Sequence, residues 1–388
     1  MTPPRTLPPG STLGVLGGGQ LGRMFVHAAQ AMGYAAAVLD ADPASPAGRV
    51  AEHHLKAGYL DERALDELAR IADAITTEFE NVPAAAVERL AAVRPVAPDP
   101  AALGICQDRA REKAHFAACG VPTAPHAVIE RRSDLANAGR SLLPGILKTA
   151  GLGYDGKGQV RVATTAELAA GWRELGEVRC VLERRLELDY ELSVVLARGH
   201  DGELVHLPLQ ENVHANGILA VTTVPAPSAD AQVSVAAFAA AERIASSLEY
   251  VGVLCVEFFV LADGSVVANE MAPRPHNSGH HSIDSCDRSQ FELQVRALAG
   301  LPLGSPQQLR PAVMLNLLGD LWFDDNGTPR EPDWPTVLAL PGTHLHLYGK
   351  AEARRGRKMG HLTITAATAD AAHAVAGQAA SGLGLSLA

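Results

Sequence analysis

The chain lacks the features that mark membrane, secreted and disulfide-bonded proteins. Its 388 residues contain no run of about 18 apolar residues, the length that a membrane-spanning helix needs. The first ten residues, MTPPRTLPPG, lack the apolar core of a signal peptide. Its five cysteines are odd in number and form no C-x-x-C pair, which disfavours a disulfide framework and a zinc ribbon. We therefore expect a cytoplasmic protein with reduced thiols.

Cations are scarce in this chain, and lysines are the scarcest. The 33 Lys and Arg residues face 43 Asp and Glu residues, giving a formal net charge of −10. Because nucleic-acid binding requires a broad excess of cations, this balance argues against a nucleic-acid partner. The lysines are Lys56, Lys113, Lys148, Lys157, Lys350 and Lys358. Three of them, Lys148, Lys157 and Lys350, are candidate phosphate or substrate contacts, since a compact ammonium is not interchangeable with a planar guanidinium at such sites.

The order of predicted elements indicates several domains. A 47% hydrophobic content over this length supports roughly two to three domains, each with its own core. The run from Thr12 to Asp40 reads as strand, helix and strand, a β-α-β opening. The segment RPVAPDPAALGICQD is rich in proline and predicted to be irregular, so we place a boundary near residue 112. The chain is then β-rich, and a last segment begins at about residue 310.

The first glycine loop has the spacing of a dinucleotide-binding site. Gly17, Gly19 and Gly22 follow a strand and begin a helix, and Asp40 ends the next strand. In a nicotinamide dehydrogenase such glycines admit a phosphate and the acid binds a ribose hydroxyl. Two other interpretations need no dinucleotide: the glycines allow tight packing, or their amides bind another phosphate.

A second glycine loop carries a lysine. Residues 151–158, GLGYDGKG, nearly match the phosphate-binding G-x-x-x-x-G-K-[ST], but Gly158 replaces the hydroxyl residue and the following QVRV predicts a strand rather than a helix. A glycine-rich loop between two antiparallel strands is typical of a flap over nucleotide phosphates. Lys157 and the amides of this loop, with Lys148 on the preceding strand, then become phosphate donors. The alternative is a surface hairpin with a solvated lysine.

A hairpin brings two glutamates together. In VEFFVLADGSVVANE, Asp263-Gly264 predicts a two-residue turn between two strands. Glu257 lies six residues before this turn and Glu270 six residues after it, so they are predicted to face each other. Mg²⁺ suits two such carboxylates, while a shared proton or a nearby Arg274 is the alternative explanation. The same register places Asn269 on the other face of the hairpin.

Donor-rich segments follow the hairpin and recur near the C-terminus. The stretch MAPRPHNSGHH combines Arg274, His276, Asn277 and Ser278, and two prolines keep it irregular. We interpret His280 and His281 as polar loop residues, because adjacent histidines rarely bind one ion. The basic run contains Lys350, Arg354, Arg355, Arg357 and Lys358. A small phosphorylated substrate fits this run better than a nucleic acid, and we expect Arg354 and Arg355 to be solvated.

Six segments together resemble the ATP-grasp superfamily and, within it, the N5-carboxyaminoimidazole ribonucleotide synthetase family of purine biosynthesis. The segments are GVLGGGQLGRM at 14–24, TTEFENV at 76–82, QDRAREK at 107–113, ILKTAGLGYDGKGQ at 146–159, ANEMAPRPHNSGHHS at 268–282 and LYGKAEARRGRKMGHLT at 347–363. The resemblance implies a mixed α/β and α+β fold with a Rossmann-like N-terminal pre-ATP-grasp domain (1–112). It further implies an ATP-grasp domain (113–309, with lobes at about 120–186 and 187–309) and a small β-rich C-terminal domain (310–388).

The resemblance also implies roles for individual residues. The positions that match ATP contacts are Arg109, Lys148, Gly153, Tyr154, Asp155, Gly156, Lys157, Gly158, Gln159, Glu183, Arg184, Arg185, Leu186, Glu191, His214, Asn269 and Glu270. Glu257 and Glu270 match the metal carboxylates. The positions on the side of the ribonucleotide and bicarbonate are Gln20, Tyr154, Asp155, Arg274, His276, Asn277, Ser278, Lys350 and Arg357. Lys148, Arg274 and His276 are the implied catalytic residues.

The implied reaction is an ATP-dependent carbon–nitrogen ligation. ATP, bicarbonate and 5-aminoimidazole ribonucleotide give the N5-carboxylated ribonucleotide, ADP and phosphate through carboxyphosphate, with Mg²⁺ or Mn²⁺ as the metal and a homodimer as the assembly. Two departures from the superfamily pattern stand out: Ala272 replaces a common Asn ligand, and Arg184 replaces a common Lys. The alternatives are a formate-activating ATP-grasp purine enzyme, a dehydrogenase that uses the first glycine loop, and a non-catalytic nucleotide sensor.

Overall fold

A five-stranded parallel sheet forms the N-terminal part of the chain. The computed structural model describes residues 6–151, 158–324 and 326–387. The strands of this sheet are β1 (Thr12–Leu16), β2 (Ala35–Leu39), β3 (His53–Leu55), β4 (Ala74–Thr77) and β5 (Val96–Ala97), in the order β3-β2-β1-β4-β5. Its helices are α1 (Gln20–Ala31), α2 (Glu62–Ile71), α3 (Ala84–Ala91) and α4 (Pro100–Cys106). The predicted β-α-β opening is confirmed.

The proline-rich segment before residue 112 is more regular than predicted. It contains β5 and α4, so the prediction of an irregular segment was wrong. The Asp99 carboxylate accepts a hydrogen bond of 2.8 Å from the Ala101 amide and caps α4. Pro100 follows at the first helical position, where its missing N–H costs nothing. The same prolines that suggested a loop therefore begin a helix.

A four-stranded antiparallel sheet forms the small lobe. After α5 (Arg109–Ala118) come β6 (His126–Ile129), α6 (Arg132–Leu142), β7 (Gly145–Thr149), β8 (Gln159–Val162), α7 (Thr165–Glu174) and β9 (Cys180–Arg184). The strand order is β6-β9-β7-β8. Helices α6 and α7 supply Leu135, Leu168 and Trp172 to its core. The second glycine loop joins the antiparallel pair β7 and β8, as predicted.

A nine-stranded sheet forms the rest of the chain. Its strands are β10 (Leu188–Arg198), β11 (Leu204–His206), β12 (Gln210–Ala215), β13 (Ile218–Val224), β14 (Gly252–Leu261), β15 (Val266–Ala272), β16 (Ala312–Leu318), β17 (Thr343–Leu347) and β18 (Lys358–Thr365). The order is β15-β14-β10-β12-β13-β16-β18-β17, and β11 pairs with β10. The helices are α8 (Ala231–Ser247), α9 (Ser282–Ser285), α10 (Gln290–Ala299), α11 (Trp334–Leu338) and α12 (Ala369–Leu383), with 3-10 turns at Asn277–Gly279 and Gly319–Trp322.

Strands from either side of residue 310 pair within this sheet. β13 and β16 are antiparallel neighbours, with Val221 opposite Leu315. The C-terminal strands therefore extend the sheet of the large lobe. The boundaries near residues 112 and 309 stay predictions.

Alternation along the strands gives the large-lobe sheet two different faces. Leu192, Val194 and Leu196 of β10 pack with α8 in one core. The residues between them point to the other face, where Val195 and Ala197 pack near α10 and Glu191 and Ser193 are polar. The polar end of this face carries the candidate site.

No helix within the described ranges is both long and apolar enough to cross a membrane.

Candidate active site

The hairpin of β14 and β15 places Glu257 opposite Glu270, as predicted. The predicted two-residue turn was wrong, because Leu261 pairs with Ser265 around a three-residue loop in which Gly264 has φ +79°. This longer loop shifts the register by one residue. A bulge after Glu257 shifts it back, and the two shifts cancel at the glutamate pair. The bulge lies at Asn269, so the simple alternation that assigned Asn269 to the other face does not hold there.

An arginine and a histidine contact the two carboxylates. Arg109 Nη1 lies 2.8 Å from Glu270 Oε2, and His276 Nε2 lies 3.0 Å from Glu257 Oε1. Burial would raise both pKa values, but Arg109 and Lys148 lower the pKa of Glu270 to about 2, and His276 lowers that of Glu257. Both groups are therefore carboxylates at neutral pH. Arg274, the alternative partner in the sequence analysis, pairs elsewhere.

The donor set of this hairpin fits a hard divalent cation. Two carboxylates lie side by side, and the buried Asn269 Oδ1 has no hydrogen-bond partner among the described residues. Mg²⁺ prefers such oxygen ligands and keeps several waters and substrate oxygens around them. Asn269 is thus a candidate for the third ligand that the sequence left unassigned.

Helix α5 holds the bulge through three side chains on one face. Arg109 binds the Glu270 carboxylate, and Glu112 Oε1 accepts a hydrogen bond of 2.7 Å from the Met271 amide. Lys113 Nζ donates 2.8 Å to the carbonyl of Asn269. The positions i, i+3 and i+4 lie on one helix face, so one turn of α5 contacts three successive residues of β15. Glu112 and Lys113 were missed in the sequence analysis, although both lie in the segment QDRAREK.

Two lysines converge on one buried glutamate. Lys148 Nζ lies 3.2 Å from Glu183 Oε2, and Lys113 Nζ lies 3.5 Å from the same atom. Burial would raise the pKa of Glu183, but Lys148 and Lys113 keep it below its ordinary value. Burial lowers the pKa of Lys113 and raises that of Glu112 to about 8. This cluster places an excess of positive charge beside the hairpin.

The segment after Glu183 connects the small lobe to β10. The Arg184 amide donates 2.8 Å to the Pro125 carbonyl, and the Arg185 amide donates 3.0 Å to the Pro144 carbonyl. Those two amides are engaged within the small lobe, so Arg184 and Arg185 do not present them to a ligand. Leu186 completes the connection. The ATP contacts predicted for this segment stay predictions.

The other predicted nucleotide positions are spread over β8, β10 and β12. Glu191 Oε2 lies 2.7 Å from His214 Nδ1, and despite burial this carboxylate raises the pKa of the imidazole. Gly158 has φ +70°, and Gln159 begins β8 with an exposed side chain. The predicted contacts Gly153, Tyr154, Asp155, Gly156 and Lys157 lie outside the described residues.

Arg274 ties the hairpin to the N-terminal sheet. Its Nη2 donates 2.8 Å to Glu80 Oε1, and its Nε donates to the other oxygen of the same carboxylate. Although Glu80 is buried, this ion pair keeps its pKa below the ordinary value. Glu80 follows β4 in the segment TTEFENV, and its role was missed because nothing in the sequence indicates this partner. The planar guanidinium of Arg274 can donate two parallel hydrogen bonds to one carboxylate, as it does here to Glu80.

The residues after Arg274 are more deeply buried than we expected for a polar loop. His276 Nδ1 lies 2.9 Å from Ser278 Oγ, and both side-chain polar atoms of the buried Asn277 lack a partner among the described residues. His280 and His281 are 1% and 0% exposed, so their interpretation as polar loop residues was wrong. Burial lowers the pKa of His281 to about 3. These two histidines are core residues.

A second group of possible metal ligands lies near these histidines. Asp284, His346 and His361 bring their ligand atoms within 4.8 Å of one another. The rings of His346 and His361, however, are stacked at 15° with centroids 4.5 Å apart. An ion bound to an imidazole nitrogen lies in the ring plane at about 2.0–2.1 Å. Two nearly parallel rings cannot meet that condition at one point, so this group does not form a metal site as it stands.

The C-terminal cations occupy a loop between β17 and β18. Lys350 Nζ donates 2.6 Å to the Lys358 carbonyl and lies 5.7 Å from the centre of the Tyr348 ring. Arg357 Nη1 donates 2.8 Å to the Glu352 carbonyl. Arg354 and Arg355 are 71% and 63% exposed, as expected for solvated residues.

Carboxylates of the chain itself occupy the first glycine loop. The amides of Gly19 and Gly22 donate 2.6 and 2.8 Å to the two oxygens of Glu78, and the Gly18 amide donates 2.8 Å to Asp40 Oδ2. The donors that a dinucleotide phosphate needs are therefore already satisfied. The loop serves packing, and the dehydrogenase interpretation was wrong. Gln20 begins α1 directly after this loop.

Gly19→Ala tests this use of the loop. A Cβ at Gly19 meets Glu78 Oε1 at 2.5 Å, so we expect the free energy of unfolding to fall by about 1–3 kcal/mol in urea denaturation. Gly58→Ala is the control, because its Cβ meets nothing within 4 Å, and a change below about 0.5 kcal/mol is expected. Equal stability of the two variants contradicts this packing role.

Comparisons with known proteins agree with the geometry. Residues 11–107 match the ribonucleotide synthetase preATP-grasp domain, 114–291 the ATP-grasp domain, and 312–375 the phosphoribosylaminoimidazole carboxylase C-terminal domain. An N5-carboxyaminoimidazole ribonucleotide synthase of Brucella melitensis is 46% identical over 92% of this chain and 97% of that protein.

Solved structures show the same fold. The ADP complex of an N5-carboxyaminoimidazole ribonucleotide synthetase has a TM-score of 0.91 at 39% identity, covering 98% of both chains. The Aspergillus clavatus enzyme, in complex with ADP and 5-aminoimidazole ribonucleotide, has a TM-score of 0.87 at 31% identity, covering 97% of this chain and 99% of that one. These relatives favour the carboxylating enzyme over the formate-activating alternative. The chain belongs to the N5-carboxyaminoimidazole ribonucleotide synthase family of ATP-grasp enzymes, which are ATP-dependent ligases of purine biosynthesis.

Proposed function

We propose that this chain carboxylates the exocyclic amine of 5-aminoimidazole ribonucleotide with bicarbonate, at the expense of ATP. One observation carries this proposal: the carboxylate pair Glu257 and Glu270 lies beside the buried lysine cluster of the small lobe. Carboxylates that hold a divalent cation, next to ammonium groups, suit the transfer of a phosphoryl group. The complex of a relative with ADP and 5-aminoimidazole ribonucleotide supports the choice of substrate.

Glu257, Glu270 and Asn269 are the residues that hold Mg²⁺ or Mn²⁺ in this proposal. When bound, the metal neutralises charge on the phosphate oxygens of ATP. Arg109 Nη1 lies 2.8 Å from Glu270 Oε2. When ATP binds, the Arg109 guanidinium turns part of its hydrogen bonding from Glu270 to the nucleotide. Because Glu270 is already ionised, no proton has to leave before the cation binds.

Lys148 and the glycine loop offset charge on the transferred phosphoryl group. Lys148 Nζ lies 3.2 Å from Glu183 Oε2, and Lys113 Nζ lies 3.5 Å from the same atom. Lys113 can therefore neutralise Glu183 when Lys148 moves to a phosphate. In the remaining nucleotide contacts, Glu191 binds the ribose hydroxyls and residues 153–159 cover the phosphates. The closed loop excludes water, which protects the carboxyphosphate formed when bicarbonate attacks the γ-phosphorus.

Arg274 and His276 hold bicarbonate at the base of the hairpin. His276 lies 3.0 Å from Glu257, so an anion bound there is next to the metal carboxylates. Lys350 and Arg357 bind the phosphate of the ribonucleotide. The remaining contacts to the ribonucleotide come from Gln20, Tyr154, Asp155 and Asn277, and Ser278, which is fully buried, supports this side of the site through its bond to His276. No residue of the protein acts as a nucleophile.

The assembly and the division of the chain complete the proposal. The family resemblance implies a homodimer, and the composition of the chain predicts that it acts in the cytoplasm. Three units, 1–112, 113–309 and 310–388, follow from the same resemblance. Sedimentation of the intact chain at several concentrations measures the assembly, and a single monomeric species rejects the dimer.

Phosphate release from ATP tests the proposed reaction. We expect release only when 5-aminoimidazole ribonucleotide and bicarbonate are both present, together with Mg²⁺. Formate in place of bicarbonate is the control and is expected to give no release. ATP binding without turnover under the complete conditions contradicts the proposal and favours a nucleotide sensor.

A further inference from the structure

A row of polar residues crosses four adjacent strands beside the glutamate pair. Gln210 on β12 lies opposite Ser193 on β10, Ser193 lies opposite Glu257, and Glu257 lies opposite Glu270. Directly opposite residues share a face of the sheet. Ser193 is 0% exposed, so it lies beneath the site and does not reach solvent.

Ser193 belongs to a chain of hydrogen bonds that ends on His276. Thr222 Oγ1 donates 2.9 Å to Asn212 Oδ1, and Asn212 Nδ2 donates 2.9 Å to Ser193 Oγ. Ser193 Oγ donates 2.8 Å to Ser278 Oγ, which lies 2.9 Å from His276 Nδ1. We call Thr222, Asn212, Ser193 and Ser278 the hydroxyl relay. All four are at least 94% buried.

The proton inventory gives the relay a direction. Asn212 uses its oxygen for Thr222, so its amide nitrogen donates to Ser193. A serine hydroxyl has a single proton, and Ser278 Oγ at 2.8 Å is a closer acceptor for Ser193 than Gln210 Oε1 at 3.2 Å. Ser278 then keeps its own proton for His276 Nδ1 at 2.9 Å, and the Ser278 amide, which donates to the same nitrogen at 3.4 Å, marks Nδ1 as an acceptor. His276 Nε2 carries the ring proton and faces the Glu257 carboxylate at 3.0 Å.

We propose that Ser193 is a positioning residue, which acts through Ser278 to hold His276 with Nδ1 as acceptor and Nε2–H as donor at the bicarbonate site. The hydrogen bonds at the two ring nitrogens fix the orientation of the imidazole as well as its tautomer. When bicarbonate binds, it takes over the Nε2–H that this structure directs at Glu257. This inference rests on the proposed function for its substrate, while the ring geometry stands independently of it.

Ser193→Ala tests the relay, with Ser285→Ala as the matched control. Ser285 is also fully buried and bonds a histidine, His281 Nδ1 at 2.7 Å, but it lies outside the site. Two properties are measured on the full chain: the ¹⁵N spectrum of the imidazoles, with His276 assigned by its absence in His276→Gln, and steady-state kinetics of carboxylated product and phosphate.

In the unchanged chain we expect His276 to show an unprotonated Nδ1 and a protonated Nε2. In Ser193→Ala we expect the His276 Nδ1 signal to shift. We also expect kcat to fall by about five- to thirtyfold, which corresponds to the loss of one buried hydrogen bond. The KM for ATP should be unchanged. Ser285→Ala should change neither property.

An unchanged His276 spectrum in Ser193→Ala overturns the inference, as does an equal loss of kcat in both serine variants. If the unchanged chain makes no carboxylated product, the proposed function fails, and the ¹⁵N spectra still decide whether the relay sets the tautomer.

Discussion

Glu270→Gln is expected to abolish ATP turnover and to leave the fold intact. The substitution keeps the shape of the side chain but removes the negative charge that, with Glu257, forms the metal pair. It also leaves Arg109, whose guanidinium lies 2.8 Å from Glu270, without its carboxylate. Loss of a preorganised electrostatic contact to the reacting groups lowers kcat by at least ~100-fold. The measurement is phosphate release under saturating substrates and Mg²⁺.

A matched glutamate separates this effect from a general loss of charge. Glu292 on α10 pairs with Arg296 at 2.7 Å and belongs neither to the glutamate pair nor to the lysine cluster, so Glu292→Gln should retain nearly full turnover. Circular dichroism of both variants reports the fold. Turnover of Glu270→Gln close to that of the unchanged chain would remove Glu270 from the metal site.

Lys113→Met is expected to weaken both stability and ATP binding. Methionine keeps the unbranched side chain but removes the ammonium that contacts Glu183 at 3.5 Å and the Asn269 carbonyl at 2.8 Å. Breaking a buried ion pair costs about 3–5 kcal/mol, and Lys148, which stays on Glu183, limits the loss in the free energy of unfolding to about 3 kcal/mol. Because Lys148 alone must then neutralise Glu183, it binds phosphate less well, and the KM for ATP rises about tenfold.

The control for this variant is the exposed Lys56, which lies in the N-terminal part of the chain. Lys56→Met should leave the urea midpoint and the KM for ATP within error of the unchanged chain. If Lys113→Met matches Lys56→Met in both measurements, α5 does not support the site through Lys113.

Local patterns predicted the hairpin better than they predicted its turn. The distances of Glu257 and Glu270 from Asp263-Gly264 were sufficient to pair them, although the actual loop is one residue longer. A bulge at Asn269 restores the register, and bulges have no dependable sequence signal. The pairing was therefore correct because two departures from the simple hairpin cancel.

Contacts between distant segments could not be predicted. The spacing of Arg109, Glu112 and Lys113 is visible in the sequence, but their partners on β15 lie more than 150 residues away. In the same way, the alternation of Glu191 and Ser193 indicates a polar face, whereas the bond from Ser193 to Ser278 depends on the folded sheet.

The first glycine loop shows the limit of a motif. Its spacing satisfies the dinucleotide pattern, but Glu78 reaches its amides from the end of another strand. Only the packing of β4 next to β1 reveals that this phosphate site is filled by the protein. A motif defined by its glycines alone contains no information about the Glu78 carboxylate that binds their amides.

The fate of the bicarbonate oxygens tests the central claim most directly. If bicarbonate attacks the γ-phosphorus of ATP, one of its oxygens stays on phosphorus when the carboxyl group moves to the amine. With ¹⁸O-labelled bicarbonate, ATP, Mg²⁺ and 5-aminoimidazole ribonucleotide, we predict one ¹⁸O atom in each phosphate released and an equal amount of carboxylated ribonucleotide. Phosphate that carries only oxygen from ATP and water would contradict the account.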